Sequence, residues 1–409
     1  MPPAPDPHKG LSFFAFVTAI ASIQAVEAMS IDMMVPALGK IAGALHVAAG
    51  NERQWVITSF VLAFGAAQLL YGLAADRFGR RPVLIFALAV FTLCSFAAAL
   101  APSFALLLLA RAGQGFGAAG AQVLSVSVVR DCYAGRQMAR VMSLSFMVFL
   151  TAPIIAPSLG QGLLLLAPWP AIFAFLGIYG GLITLWVAWR LPETQHAEDH
   201  TGMNARAFAA AIRLTLANRM SLGYTLAAML LLGAWLGFIN SAQQVFAEVF
   251  HVPKLFPLIF AACSVCMAAA ALLNARLVDR LGMRRLAHTA MLGFIAMAML
   301  QAGAAISGHD TLLTFTLIQA AMMFSFGLLA GNCGAISMEP LGHIAGTAAA
   351  VQGFINMLGA ALIGIYIGQS FNGTLVPLAI GFAACGILAL ITVTAAEGGT
   401  LFRSQVAVR

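Results

Sequence analysis

The chain has 409 residues, of which 61% are hydrophobic and 9% charged, whereas a soluble domain carries roughly a quarter charged residues and about half apolar ones. That imbalance excludes a water-soluble fold. The net charge of +7 does not indicate nucleic acid, because the basic residues sit in short intervals beside apolar runs rather than on one amphipathic face.

Apolar runs of about 20 residues, the length that crosses a bilayer as a helix, recur along the whole chain. Cut at the polar intervals, the sequence predicts twelve spans near 11–38, 54–75, 82–101, 103–128, 138–165, 169–190, 220–248, 255–278, 284–306, 311–337, 343–370 and 374–396. Strand alternation is absent, which argues against an outer-membrane barrel. The first run, from Leu11 to about Leu38, is too long for the core of a signal peptide. The longest polar interval, 191–219, holds Pro192-Glu193-Thr194, His196, Glu198, Asp199 and His200, then a more helical stretch from Arg206 to Arg219. It divides the chain into an N-terminal six-helix bundle (1–190), a cytoplasmic linker (191–219) and a C-terminal six-helix bundle (220–409). The expectation is an all-α membrane protein of two pseudo-symmetric bundles. Of the Lys and Arg residues, all but Lys40, Arg53, Lys254 and the intramembrane Arg111 fall on one side of such a topology. The positive-inside rule then places both termini in the cytoplasm.

Six cysteines are scattered through the apolar runs, where a disulfide framework is not expected. Cys263 and Cys266 form a CxxC, but they lie in an uninterrupted helical run without partner ligands, so they read as small hydrophobes. Neither a metal nor a cofactor is expected.

The interval after the second span reads Gly72-Leu73-Ala74-Ala75-Asp76-Arg77-Phe78-Gly79-Arg80-Arg81-Pro82-Val83. Its Asp-Arg-x-Gly core returns as Asp279-Arg280-Leu281-Gly282 after the eighth span, a shift of 203 residues. A basic loop kept for topology would explain the arginines but not this repetition; a duplicated half would explain both. A glycine lets neighbouring helices approach, and an aspartate can pair with arginine or accept from a helix N-terminus. Gly72, Asp76, Arg77, Gly79, Arg80, Arg81, Asp279 and Arg280 are therefore candidates for a conformational latch. The first copy resembles the cytoplasmic signature of the major facilitator superfamily. Arg111-Ala112-Gly113-Gln114-Gly115, Val129-Arg130-Asp131, Ser30-Ile31-Asp32-Met33 and Gly342-His343-Ile344-Ala345-Gly346-Thr347-Ala348 further resemble the bicyclomycin/chloramphenicol-type drug-resistance transporters. The stretch Ala152-Pro153-Ile154-Ile155-Ala156-Pro157-Ser158-Leu159-Gly160-Gln161-Gly162 is similar to the proline–glycine motif of drug/proton antiporters, with Ala156 and Gln161 where glycine is usual. Pro153, Pro157 and Gly160 join the switch candidates. The resemblance implies proton-driven efflux of small lipophilic or cationic compounds by alternating access, from a bacterial inner membrane.

A charge in the bilayer interior costs at least about 2.5 kcal/mol, so ionisable residues there are functional candidates. Three lie plainly inside the spans: Glu27, Asp32 and Arg111. With the first helix ending near Leu38, Asp32 lies roughly 9 Å and Glu27 roughly 16 Å below that end, and Arg111 roughly 12 Å into the fourth span. Five residues separate the acids, about 140° around a helix. Pro36 cannot donate to the carbonyl of Asp32, so a kink is expected beside that acid. Burial favours a neutral carboxyl and a nearby guanidinium favours the carboxylate; that balance suits a proton-coupling site of Asp32, Glu27 or both, with Arg111 tuning the acid or anchoring the fourth span to the first. A structural ion pair of Arg111 with Asp32 is the competing reading. Glu27 also suits selection of cationic substrates. Tyr179, Trp235, Asn240, Gln244 and Asn356 are candidate substrate contacts, because polar or amphipathic groups are better placed against a cavity than against lipid.

Transport of one specific metabolite, in either direction, would leave the same fold and proton site. A membrane-embedded enzyme is disfavoured by the lack of metal-ligand spacing, a Ser/His pair or a phosphate-binding glycine loop, and a primary pump by the lack of a nucleotide-binding motif. The expected partners are a small-molecule substrate, protons and the lipid bilayer. Each chain carries both halves, so a monomer suffices.

Overall fold

A computed structural model describes residues 12–47, 50–133, 135–194 and 205–402; Lys9, His196, Glu198, Asp199, His200, Arg403 and Arg409 lie outside them. The described residues form fourteen α-helices: α1 (Phe13–Asp32), α2 (Leu38–Ala44), α3 (Trp55–Phe78), α4 (Arg80–Ala99), α5 (Phe104–Cys132), α6 (Gly135–Leu166), α7 (Pro170–Arg190), α8 (Ala205–Ala217), α9 (Arg219–Gln244), α10 (Phe256–Leu281), α11 (Met283–Ser307), α12 (Leu312–Met338), α13 (Ala345–Gln369) and α14 (Val376–Ala396). Among the described residues, eleven helical stretches are long and apolar enough to cross a membrane. The twelfth span is α6, of 32 residues, whose apolar part is Thr151–Leu166. Side-chain caps start several helices, with Ser12, Ser103, Asn218 and Thr311 accepting from backbone N–H groups of the first turn, which satisfies donors that a helix cannot satisfy itself.

The chain forms two compact units: Met1–Ala48 with Trp55–Ala207, and Ala49–Gln54 with Phe208–Arg409. In the first, α5 packs against α3 and α4, α4 against α7, and α1 against α6 and α5. Small residues set these approaches. A Cβ at Gly115 would lie 2.0 Å from the Phe60 carbonyl oxygen, and one at Gly117 2.5 Å from that of Ala87, the close backbone contact that small residues permit between membrane helices. In the second, α9 packs against α13, α14 and α12, and α11 against α12 and α14.

The structure corrects several expected boundaries. The first span does not end near Leu38. After α1 a 3₁₀ turn, Val35–Ala37, absorbs Pro36 at a position that tolerates it, because proline lacks only a donor that a helix start leaves unused; α2 then carries the span to Ala44. The Asp-Arg-x-Gly motifs are not loops. Asp76, Arg77 and Phe78 close α3, Asp279, Arg280 and Leu281 close α10, and single glycines at φ 94° (Gly79) and φ 79° (Gly282) make the turn into the next helix, a conformation glycine adopts without a Cβ penalty. Val129-Arg130-Asp131 likewise belongs to the last turn of α5 rather than following it.

The two copies of the motif differ in what they hold. In the first, buried Arg80 donates to Asp76 Oδ1 (2.6 Å) and Asp131 Oδ2 (3.0 Å), joining α4, α3 and α5. The Glu193 carboxylate accepts the Arg80 and Arg81 backbone N–H groups at 3.0 and 3.1 Å, so the N-terminus of α4 carries the negative charge its dipole favours. Arg77 is exposed and lies over the Phe78 ring. In the second copy Asp279 and Arg280 are both exposed. Met283 stands where the repeat would place Arg80, and Arg284 makes the contacts instead, donating to Glu339 Oε2 (3.1 Å) and Glu397 Oε1 (2.8 Å).

Candidate functional site

In the first unit α1 buries Gln24, Glu27, Ser30 and Asp32, and α5 buries Arg111, Gln114 and Ser125. Asp32 closes α1 and is 1% exposed, and its Oδ1 has no hydrogen-bond partner among the described residues. Glu27, 8% exposed, lies five residues earlier on the same helix. One turn before Glu27, Gln24 donates to Ser125 Oγ of α5 at 3.3 Å. Gln24 is a member of this cluster that the sequence reading missed; its i, i+3 spacing from Glu27 on an apolar helix is the signal that marks it.

Arg111 is fully buried on α5 and forms no ion pair with either acid among the described residues. Its Nε donates to the Val56 carbonyl (2.7 Å), Nη1 to Gln114 Oε1 (2.9 Å) and Nη2 to the Ser30 carbonyl (3.1 Å). Gln114 in turn donates to Ser95 Oγ at 2.7 Å, and the guanidinium carbon lies 4.5 Å from the centroid of Phe60. The Ser30 acceptor follows from the helix break. Met33 and Met34 bond to Met29 and Ile31 respectively, which leaves Ser30 O for the arginine. Arg111 is thus bound to α1 between the two acids rather than paired with one of them.

The proline–glycine segment of α6 meets α1 just past Asp32. Pro153, Ala156, Pro157 and Gly160 are all buried, and a Cβ at Gly160 would lie 2.3 Å from the Met33 carbonyl oxygen. Gly160→Ala must therefore displace α6 from α1 beside the acid. The expected cost is about 1–3 kcal/mol, as for other overpacked sites, read as a lowered unfolding temperature in detergent; an unchanged temperature would show that this contact yields freely. Ala156, where glycine is usual, is 1% exposed and fits with its methyl group in place.

The substrate candidates fall in three places. The Tyr179 hydroxyl donates to the Ser22 carbonyl at 2.8 Å, and its ring lines a groove of about 460 Å³ with Phe14, Leu182 and Trp186. In the second unit, Asn356 lines a cavity of about 180 Å³ with Phe326, Leu329 and Cys333, and its buried Oδ1 has no partner among the described residues. Half-buried Trp235 stacks on Phe326 at 6.1 Å. Asn240 and Gln244 are buried. Gln244 is committed to structure, accepting from Gln54 Nε2 at 2.6 Å and donating to Asn51 Oδ1 at 2.7 Å, beside an ion pair of Arg53 with Glu248. Glu248 and Glu339 each hold an arginine, Arg53 and Arg284 respectively.

A helical chain with twelve spans, one of which buries two acids that form no ion pair among the described residues, has the architecture of a polytopic membrane transporter. Residues 20–364 match the family model of the Major Facilitator Superfamily, and the chain belongs to that superfamily. Its relatives include a chloramphenicol resistance protein of Pseudomonas aeruginosa, 30% identical over 86% of this chain and 83% of that protein. A bicyclomycin resistance protein homolog of Haemophilus influenzae is 26% identical over 93% of this chain and 95% of that protein. A solved bacterial homolog of the human lysosomal transporter Spinster superposes with a TM-score of 0.73 at 16% identity, covering 99% of this chain and 100% of that one; at that identity the likeness is one of fold. The drug-resistance family inferred from the motifs is the one these relatives represent.

Proposed function

We propose that the chain is a drug/proton antiporter of the bacterial inner membrane, with both termini cytoplasmic, acting as a monomer by alternating access. Residues 1–190 and 220–409 serve as its two moving bodies and 191–219 as the tether. The observation that supports this best is Asp32: a carboxyl buried in a spanning helix, with an oxygen that has no partner among the described residues, while Arg111 is already engaged with backbone carbonyls and Gln114. An ionised acid in that place costs at least about 2.5 kcal/mol, so it is charged only when water or a cationic substrate reaches it. Competition between proton and substrate follows, which is the requirement for exchange. The names of the resistance relatives support lipophilic antibiotics such as chloramphenicol-like compounds as cargo. The test is efflux of chloramphenicol and of a lipophilic cation from energised cells, with and without a protonophore. Efflux abolished by the protonophore supports antiport; efflux that survives it removes proton coupling.

Glu27 is assigned to cation selection, and its neutralisation separates that role from coupling. Glu27→Gln is expected to reduce export of a lipophilic cation about tenfold or more, a change of about 1.4 kcal/mol for the loss of one charge partner, and to spare neutral chloramphenicol. Equal loss of both, measured as drug accumulation in cells, would place Glu27 in the proton pathway instead.

A further inference from the structure

A second cluster of titratable groups lies in the C-terminal unit, outside the site described above. His288 on α11 is fully buried. Its Nδ1 accepts the backbone N–H of Phe402 at 3.0 Å, and its Nε2 is 2.8 Å from the Tyr224 hydroxyl of α9. Tyr224 donates to Glu397 Oε1 at 2.9 Å, and the same oxygen accepts from Arg284 Nε. Arg284 also holds Glu339.

These contacts fix the protonation of the ring by elimination. A backbone N–H can only donate, so Nδ1 must present a lone pair. A neutral imidazole with its proton on Nε2 then donates to Tyr224, whose own proton is directed at Glu397. Both ring nitrogens are used, and an imidazolium, with two donors, cannot satisfy the Phe402 contact.

The segment that makes this contact is held under strain. After α14 the chain turns through Gly398 (φ 66°) and Gly399 (φ 85°), and Phe402 itself has φ 64°, a left-handed conformation that is uncommon for a bulky residue. Such a backbone persists only where its surroundings hold it. Gly398 and Gly399 donate to the Ala395 and Thr394 carbonyls at the end of α14, whereas Phe402, among the described residues, is held by His288 through the N–H bond and an edge-to-face ring contact at 5.3 Å and 87°.

We propose that His288 is a proton-operated catch: while neutral it holds Gly398–Phe402 against the C-terminal unit, and on taking up a proton from the adjoining aqueous phase it releases that segment. The groups facing it from the packed elements are Tyr224, Glu397 and Arg284, with Glu339 behind Arg284. The held form binds one proton fewer than the released form, so holding weakens as pH falls and strengthens as it rises. The strained Phe402 backbone favours release once the bond is lost. In the proposed topology the sensed compartment is the cytoplasm, the side into which an antiporter delivers its protons, so the device would report on the transporter's own turnover. It is independent of the Asp32 and Glu27 reading, since it involves no residue of the first unit.

The test is amide hydrogen exchange of the full chain in lipid nanodiscs, followed in a peptide containing Gly398–Phe402 and corrected for the intrinsic pH dependence of exchange. Between about pH 8 and about pH 5.5, which brackets ordinary histidine titration, exchange in the wild type should rise about tenfold, the population change that one net hydrogen bond supports. His288→Asn keeps an amide oxygen near the position of Nδ1 that cannot titrate, and should remain protected at both pH values. Wild-type protection that does not change with pH, or an equal acid-induced loss in His288→Asn, overturns the proposal. Tyr224→Phe gives an independent arm if His288→Asn fails to fold. It removes the Nε2 partner and leaves the Phe402 contact, so acid release should persist; its loss would assign the effect to the Tyr224–Glu397 pair and also overturn the catch.

Discussion

Arg111→Met is expected to lower the stability of the N-terminal unit by about 3 kcal/mol and to abolish transport. The substitution leaves three buried acceptors, the Val56 and Ser30 carbonyls and Gln114 Oε1, without their donor, at about 1–3 kcal/mol each. Removing a charge from the membrane returns part of this, about 2.5–3.5 kcal/mol, so the net effect is smaller than the sum. Ser30 has the most to lose, because the break after Asp32 deprives it of the backbone donor a continuous helix would supply. Arg111→Lys should fall between, since one ammonium cannot match the planar spread of donors that reaches all three acceptors. Thermal unfolding of the two variants in detergent checks the order. If both matched wild type, Arg111 would not be the tie between α5 and α1.

The second large effect is expected from Asp32→Asn. The amide has nearly the carboxyl's shape, so α1, the 3₁₀ turn and the Gly160 contact should stand, but it cannot carry a proton. One charge moved through 100 mV is worth about 2.3 kcal/mol, equal to a concentration ratio of about fiftyfold. An antiporter that exchanges one proton for a neutral drug loses that ratio when coupling is lost. Drug accumulated in cells bearing the variant should therefore match cells without transporter, while drug binding to the purified variant is retained. Export by Asp32→Asn at the wild-type ratio would move the coupling role to Glu27.

The residues of this site were legible because each breaks an apolar pattern. Asp32, Glu27 and Arg111 are charges inside spans, and the repeated Asp-Arg-x-Gly marks the duplication. Their partners were not legible. Arg111 binds backbone carbonyls, which have no sequence signature, and the competing reading of an ion pair with Asp32 has no support in the hydrogen bonds of the described residues. Pro36 correctly indicated a break beside Asp32, but a 3₁₀ turn absorbs it and the span continues to Ala44; proline composition alone does not distinguish a stop from a kink. The duplication predicted equal latches, yet one replaced position, Met283, transfers the second network to Arg284, Glu339 and Glu397. Glu397 and Tyr224 are 173 positions apart, and each alone looks like an ordinary residue at a helix end.

The most direct test of proton-coupled exchange is the pH change on adding a lipophilic cationic drug to detergent-purified protein in weakly buffered solution near neutrality. Wild type is expected to release protons as it binds drug, and Asp32→Asn to bind drug with the release lost. Binding by wild type without proton release would contradict antiport at this site and favour symport or uncoupled passage.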